Sequence, residues 1–333
     1  MAGTLIISLD FELFWGVRDV ASLQQYGANL RGTRQAIPAL LALFEQLGIR
    51  ATWATVGFLF FASKSELLAH LPEEKPAYAN PKLSPYPALE GIGEDEASDP
   101  YHFGRALLER IRTVPGQEIG SHTFSHYYAL ERGQTPSTFR QDMRAALGAG
   151  ARFGVDLRSL VFPRNQYNAS YIAICRELGL TSYRGNEDSW IYRQRIEDQE
   201  PRLKRGARLL DAYVNMSGHH TFRLEDVARA GAPFNLPASR FLRPWSERLR
   251  LLEEPRLRRI ERGMTHAARQ GEAFHLWWHP HNFGANLEKN LSNLGRLLNH
   301  FDRLRNAYGM ESASMGDVAA RLLQPATTVA AHA

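Results

Sequence analysis

The sequence predicts an α/β fold, a barrel of β/α units or a distorted version of one. Two observations lead there. Short apolar runs rich in β-branched residues alternate with stretches of helical periodicity along most of the 333-residue chain, the pattern of parallel strands joined by crossover helices. Sets of polar residues also follow predicted strands, as they do where barrel strands end at an active site.

Thr4 to Leu9 (TLIISL) reads as a buried strand. Thr33 to Leu47 follows, with Ile37, Leu40, Leu41, Phe44 and Leu47 on one helical face and Gly48 as its stop. Ala51 to Phe61 reads as the second strand. Further strands are expected at Glu118–Ser121, Ser159–Pro163, Thr181–Gly185 and Phe274–His279. Helices are expected at Pro136–Phe153, Ser170–Leu178 and Asn286–Tyr308, with another near Ser246–Arg269. Ser63 to Tyr101 and Arg193 to Gly271 break the rhythm and read as insertions that form loops or caps over a site. The expected organisation is one catalytic barrel over 1–324, with insertions near 63–101 and 193–271 and a disordered tail over 325–333.

Composition is that of an ordinary folded protein, 44% hydrophobic and 23% charged. No apolar run is long enough to span a membrane. The start of the sequence lacks the basic, apolar and small-residue pattern of a secretory leader, and Cys175 is the one cysteine. Both favour the cytoplasm. Net charge is +5, and the cations are nearly all arginine. No basic platform interleaved with aromatics is present, which argues against nucleic acid. Peripheral contact with an anionic membrane surface stays open.

Five sets of residues carry chemistry. Asp10 and Glu12 end the first strand two positions apart, so their side chains share a side. His122 and His126, in His-Thr-Phe-Ser-His, are four apart and would meet one metal ion from a helical turn. The zincin motif has the same spacing but needs Glu where Thr123 stands. Arg164 follows the strand ending at Pro163, where it can hold a carboxylate's pKa down. Glu187, Asp188 and Trp190 follow Gly185. Last, alternation puts His275, Trp277 and His279 on one side, with His281 just beyond. Each set alone has an ordinary reading as a cap, a turn or a core histidine. Five of them, each at a predicted strand end, point to one site.

In this order the segments resemble the polysaccharide deacetylase family, carbohydrate esterase family 4. His122 to His126 matches its His-Ser/Thr-x-x-His motif, Leu276 to Pro280 its Leu-x-His motif, and Ala51 to Gly57 its second strand. The resemblance runs from about Thr4 to His281. It implies a distorted (β/α)7 barrel and one divalent metal ion, usually zinc. It further implies Glu12, His122 and His126 as metal ligands, Asp10 as catalytic base and Arg164 as its partner. His279 would be the acid, oriented by Asp188 or Glu187, with His281 a competitor for that role. Tyr167, Trp190, Trp277 and His281 are the candidate substrate contacts. The chain departs from the family in having Asp-Phe-Glu where many members have adjacent aspartates. Phe162-Pro163-Arg164-Asn165 also shifts the usual Arg-x-Pro-Tyr order.

The expected reaction is metal-dependent removal of an N-acyl group, acetyl first, from an amino sugar or its nucleotide- or lipid-linked form. Hydrolysis of another linear or cyclic amide, as in allantoinase-like or deformylase relatives, is a second reading. A silent carbohydrate-binding relative is a third. The arginine run Arg240, Arg243, Arg248, Arg250, Arg256, Arg258, Arg259 and Arg262 suggests contacts to a phosphate carrier. Glu247, Glu253, Glu254 and Glu261 nearby would instead make it a solvated helix.

Overall fold

The computed structural model describes residues 2–192 and 202–324. Among them are nine strands: β1 (Thr4–Phe11), β2 (Ala51–Thr55), β3 (Gln117–Ser121), β4 (Ser159–Val161), β5 (Ser182–Arg184), β6 (Phe234–Asn235), β7 (Arg240–Phe241), β8 (Ala273–Trp278) and β9 (Glu311–Ala313). The α-helices are α1 (Leu23–Leu47), α2 (Lys64–Leu68), α3 (Arg105–Thr113), α4 (Pro136–Phe153), α5 (Ala169–Glu177), α6 (Arg202–Asp211), α7 (Leu224–Ala230), α8 (Glu253–Gln270), α9 (Leu287–Tyr308) and α10 (Met315–Leu323).

All strand pairs in the sheet are parallel, in the order β6-β5-β4-β3-β2-β1-β8-β7, with β9 beside the start of β1. The two ends of that order belong to one stretch of chain. Leu236 and Ala238 donate their N–H groups to Tyr183 and Gly185 on the β5 side, while Ser239 and Leu242 donate to His275 and Trp277 on the β8 side. Residues 234–242 therefore bridge the two edges and close the sheet. With that bridge counted as one strand, the ring is a distorted (β/α)7 barrel.

β1 is the central strand. All eight of its residues are buried, as expected of a parallel strand covered on both faces. Leu5, Ile7, Leu9 and Phe11 belong to the main apolar cluster, which α1, α8 and α9 cover through Leu40, Phe44, Ile260, Leu297 and Phe301. Ser8, Asp10 and Glu12 point the other way, into the barrel.

α1 begins at Leu23, well before the expected Thr33. Ser22 caps it in a capping box with Gln25, and its first turns are too polar to show an apolar stripe. Those turns lie on the segment after β8. A Cβ on Gly32 would stand 2.1 Å from the Gly284 carbonyl oxygen, so only glycine allows this backbone-to-backbone approach. The contact fixes His279–Gly284 at the barrel mouth.

The stretch expected to be a second insertion departs most from the sequence reading. It holds the bridge that closes the barrel and the long helix α8. Residues 193–201 lie outside the described residues, as does the tail 325–333 expected to be disordered. The segment 63–101 packs on α1 and on the loop after β3: Arg34 donates to the Pro100 and Phe103 carbonyls, and Tyr78 accepts from the Tyr128 N–H at 2.8 Å. No helix among the described residues is long and apolar enough to cross a membrane.

Candidate active site and metal centre

The site lies where β1, β3, β5 and β8 end, inside the mouth of the barrel. Glu12 follows β1 directly and is 3% exposed. Its Oε2 stands 3.2 Å from His122 Nε2 and 3.2 Å from His126 Nε2. Room for this carboxylate comes from Gly16, where a Cβ would fall 1.9 Å from the Glu12 carboxyl carbon.

The two histidines do not ride on a helical turn, contrary to the expectation from their spacing. They sit in a loop in which Thr123 (φ 63°) and His126 (φ 57°) take left-handed backbone. Such conformations cost of order 1–3 kcal/mol and cluster at functional sites. Buried Asp142 on α4 holds the loop. It accepts from the Phe124 N–H at 2.7 Å, the Ser125 N–H at 3.2 Å and the Ser125 hydroxyl. Thr123 Oγ1 accepts from the Tyr127 N–H at 2.7 Å. Burial pushes the Asp142 carboxyl up to about 7 despite these donors.

The donor set fits a cation. His122 Nδ1 faces the Val161 carbonyl at 2.8 Å, which leaves Nε2 as the atom that faces the Glu12 carboxylate. Burial holds His126 toward its neutral form. A divalent ion among these atoms would take the two Nε2 lone pairs and the carboxylate oxygen as ligands. The ligand atoms of Glu12, His122 and His126 all lie within 4.8 Å of one another, and two histidines with one carboxylate are a known catalytic zinc set. Burial raises the Glu12 carboxyl, but His279, His122 and His126 outweigh it and hold it well below the usual range.

Asp10 pairs with Arg184, not with Arg164. Arg184 Nη1 and Nη2 donate to Asp10 Oδ1 and Oδ2, each at 2.7 Å. The guanidinium also lies 4.1 Å from the centre of the Trp277 ring, a cation–π contact. Burial raises the Asp10 carboxyl, and Arg184 with His122 brings it below its ordinary value. Arg164, at φ 54°, turns away to Asp19 and Glu131 and lies over Tyr128. Sequence reasoning missed Arg184. A signal was present: an arginine inside a strand buried on both faces requires a carboxylate partner.

His279 Nε2 stands 3.7 Å from Asp10 Oδ2 and 3.6 Å from Glu12 Oε1. Asn282 lies 3.5 Å from its Nδ1, and Trp277 and His281 flank the ring. Asp188 is exposed and Glu187 buried. No described contact joins either to His279, so the expected orienting carboxylate is replaced by Asn282 and the flanking rings. His281 is 3% exposed, and burial followed by His279 pushes it down to about 3. It is neutral at ordinary pH. Among the other candidates, Tyr167 packs on Phe162 and Tyr183, Trp190 is 66% exposed, and Trp277 lies against Arg184.

Five of the eight arginines in the run have partners within the chain. Arg256 donates to the Arg243 carbonyl and pairs with Glu253, while Arg259 donates to the Gly218 carbonyl and lies 3.6 Å from Asp211. Both are buried. Arg240 pairs with Asp211 at 2.6 Å, Arg258 with Glu254 and Arg250 with Glu247. Arg240, Arg256 and Arg259 hold α6 and α8 to the barrel, whereas the Arg250 and Arg258 pairs are exposed and lie within their own helical segments.

Residues 30–183, a little under half of the chain, match the model of the polysaccharide deacetylase family, so over this stretch the chain is similar to that family. The match supports a hydrolase of the class acting on carbon–nitrogen bonds other than peptide bonds. The matched stretch contains His122, His126 and Arg164 but neither Asp10, Glu12, Arg184 nor His279. No curated protein sequence matches the chain. Among solved structures, one from Mycobacterium smegmatis described as a polysaccharide deacetylase is similar at 13% identity and TM-score 0.59, covering 96% of this chain and 89% of that one. One so described from Pseudomonas aeruginosa PAO1 is similar at 12% identity and TM-score 0.52, covering 95% and 89%. The Puue allantoinase gives the same values, 12%, 0.52, 95% and 89%. At such identities these likenesses speak to the fold alone.

Proposed function

We propose that this chain is a metal-dependent N-deacetylase acting on an N-acetylated amino sugar, free or linked to a nucleotide or lipid carrier, in the cytoplasm. The observation that carries the reading is the convergence of Glu12, His122 and His126 within reach of both Asp10 and His279. Glu12, His122 and His126 would hold one divalent ion, with zinc the metal the donor set suits best. When bound, that ion supplies Lewis acidity toward an acyl carbonyl and toward water.

The chain's own groups account for the proton movements. Asp10, kept ionised by Arg184, takes a proton from the attacking water as general base. His279 is the acid. It faces both carboxylates and is the more exposed of the paired histidines, with 23% of its side chain open against 4% for His281. It donates to the leaving nitrogen, which departs as an amine because an amide anion is a very poor leaving group. Trp277 holds Arg184 from beneath. Tyr167, Trp190 and His281 are read as the walls that meet the sugar, and residues 1–324 as one catalytic unit.

Hydrolysis of a cyclic amide is the second reading, favoured only by the shared fold with an allantoinase. Metal content tests the ligand set that the first reading needs. Protein purified without a histidine tag is expected to hold about one divalent ion per chain, and His122→Ala much less. Equal metal in both proteins would remove the ligand assignment.

A further inference from the structure

Behind Asp10 the barrel interior holds a chain of hydrogen bonds with no slack. A guanidinium has five N–H donors, and Arg184 uses all of them. Nη1 donates to Asp10 Oδ1 at 2.7 Å and to Ser8 Oγ at 3.0 Å. Nη2 donates to Asp10 Oδ2 at 2.7 Å and to Asn165 Oδ1 at 3.0 Å, and Nε donates to Asn165 Oδ1 at 3.4 Å.

The chain continues from Ser8 to His275, whose Nε2 stands 2.8 Å from Ser8 Oγ. The other ring nitrogen, Nδ1, faces the Leu236 carbonyl at 3.0 Å. A carbonyl only accepts, so Nδ1 carries the ring proton. His275 is wholly buried, and burial with Arg184 pushes its pKa down to about 3, so the ring is neutral. Nε2 must then accept, and the Ser8 hydroxyl donates to it. Ser8 Oγ in turn offers its lone pairs to Arg184. Every proton in the series has one place. Its far end is anchored on the bridge that closes the barrel, where Ser239 Oγ accepts from the His275 N–H at 2.9 Å.

We infer that Ser8 and His275 are positioning residues for the reaction: through the Ser8 hydroxyl, the single proton arrangement of His275 fixes Arg184, and Arg184 fixes the two oxygens of Asp10. The inference rests on the proposed role of Asp10 as base. Neither residue can reach substrate, because both are fully buried. Without the Ser8 oxygen, one Arg184 N–H is left buried and unpaired, and the guanidinium is free to slide along the carboxylate. Asp10 then spends less time aimed at the water it must deprotonate, and misplacement of a reacting group costs turnover steeply.

The test compares Ser8→Ala and Ser8→Thr, with His275→Gln as a variant whose amide oxygen can replace Nε2 as acceptor. Ser8→Ala is expected to lower kcat by about 10- to 100-fold, a usual cost of losing an outer partner, with KM and metal content within about twofold of wild type. Ser8→Thr and His275→Gln should recover most of the loss. In an Arg184→Met background Ser8→Ala should change kcat less than about twofold, because residues acting through one another are not additive. A general structural role would not produce that silence. Wild-type kcat in Ser8→Ala, or an equal loss from it with and without Arg184, would overturn the inference. Asp10→Asn separates the two levels. An inactive Asp10→Asn beside a fully active Ser8→Ala removes the positioning role alone, whereas a fully active Asp10→Asn removes the base assignment and the positioning role with it.

Discussion

Arg184 on β5 grips both carboxylate oxygens of Asp10 on β1 at 2.7 Å, across the interior of the barrel. The pair is 1% and 4% exposed. A fork-to-carboxylate contact of this kind combines charge with fixed geometry, and it sets the ionisation and direction of the proposed base.

Removing Arg184 should therefore do what removing the base does. Arg184→Met is expected to lower kcat by about 10²–10⁴-fold, the usual worth of general base catalysis. It should also lower stability by about 3–5 kcal/mol, because a buried carboxylate loses its partner. Arg164→Met should reduce kcat less than Arg184→Met does, since Arg164 serves Asp19 and Glu131. Steady-state kinetics and chemical denaturation of both variants check this. A larger kinetic loss from Arg164 would restore the pairing expected from the sequence.

Metal affinity should depend on residues that never touch the ion. Asp142→Ala leaves the Phe124 and Ser125 donors without their acceptor. Gly16→Ala forces a methyl into the space of the Glu12 carboxylate. Each is expected to weaken divalent metal binding by about 10- to 100-fold, read by competition with a chromogenic chelator. Unchanged affinity in both would mean that Glu12 and the 122–126 loop are not held as described.

The acid assignment separates two stacked histidines, whose ring centres are 5.0 Å apart. His279→Ala should lower kcat by about 10²–10⁴-fold, and His281→Ala should cost less in kcat and more in thermal stability. His281 is enclosed and already neutral, so it has no proton to give near pH 7. The reverse ranking in kcat would exchange their roles.

Stability should fall in mild acid. His275 and His281 have folded pKa values pushed down to about 3, against 6.5 for an ordinary histidine. The unfolded chain binds their protons first, so their contribution is complete above about pH 6.5 and is lost as pH falls toward 3. Each costs up to about 1.4 kcal/mol per pH unit in that window. Asp10 and Glu12, both lowered in the fold, push the same way at the acid end. Urea unfolding from pH 7 to 4 should show a shallower decline in His275→Gln than in wild type. Equal slopes would mean that His275 is not held neutral.

Much of this architecture is legible in the sequence because its signals are local. β1 shows as an apolar run, α4 as a clean stripe between Thr135 and Gly154, and Asp10, Glu12, His122, His126 and His279 as polar residues where strands end. What stays hidden is set across the barrel. An arginine inside a buried strand signals that Arg184 needs a carboxylate, but which carboxylate it reaches depends on barrel curvature and on the left-handed turn at Arg164. β6 and β7 have two residues each, too short to show a period. The i, i+4 spacing of His122 and His126 suits a helix, and the grip of Asp142 that makes it a loop is a contact between distant segments. Charge alone suggests phosphate for the arginine run, because it does not reveal that Asp211 and Glu253 already engage Arg240, Arg256 and Arg259.

The central claim is that this site hydrolyses the N-acetyl group of an amino sugar with a metal held by Glu12, His122 and His126. Its most direct test is acetate release from a panel of N-acetylated sugars, free and carrier-linked, with allantoin as the cyclic amide. Wild type reconstituted with zinc should release acetate and free amine in equal amounts from at least one sugar. That activity should vanish on chelation, return with zinc, and be absent in His122→Ala. Ring opening of allantoin that survives chelation, with no acetate from any sugar on the panel, would contradict the account.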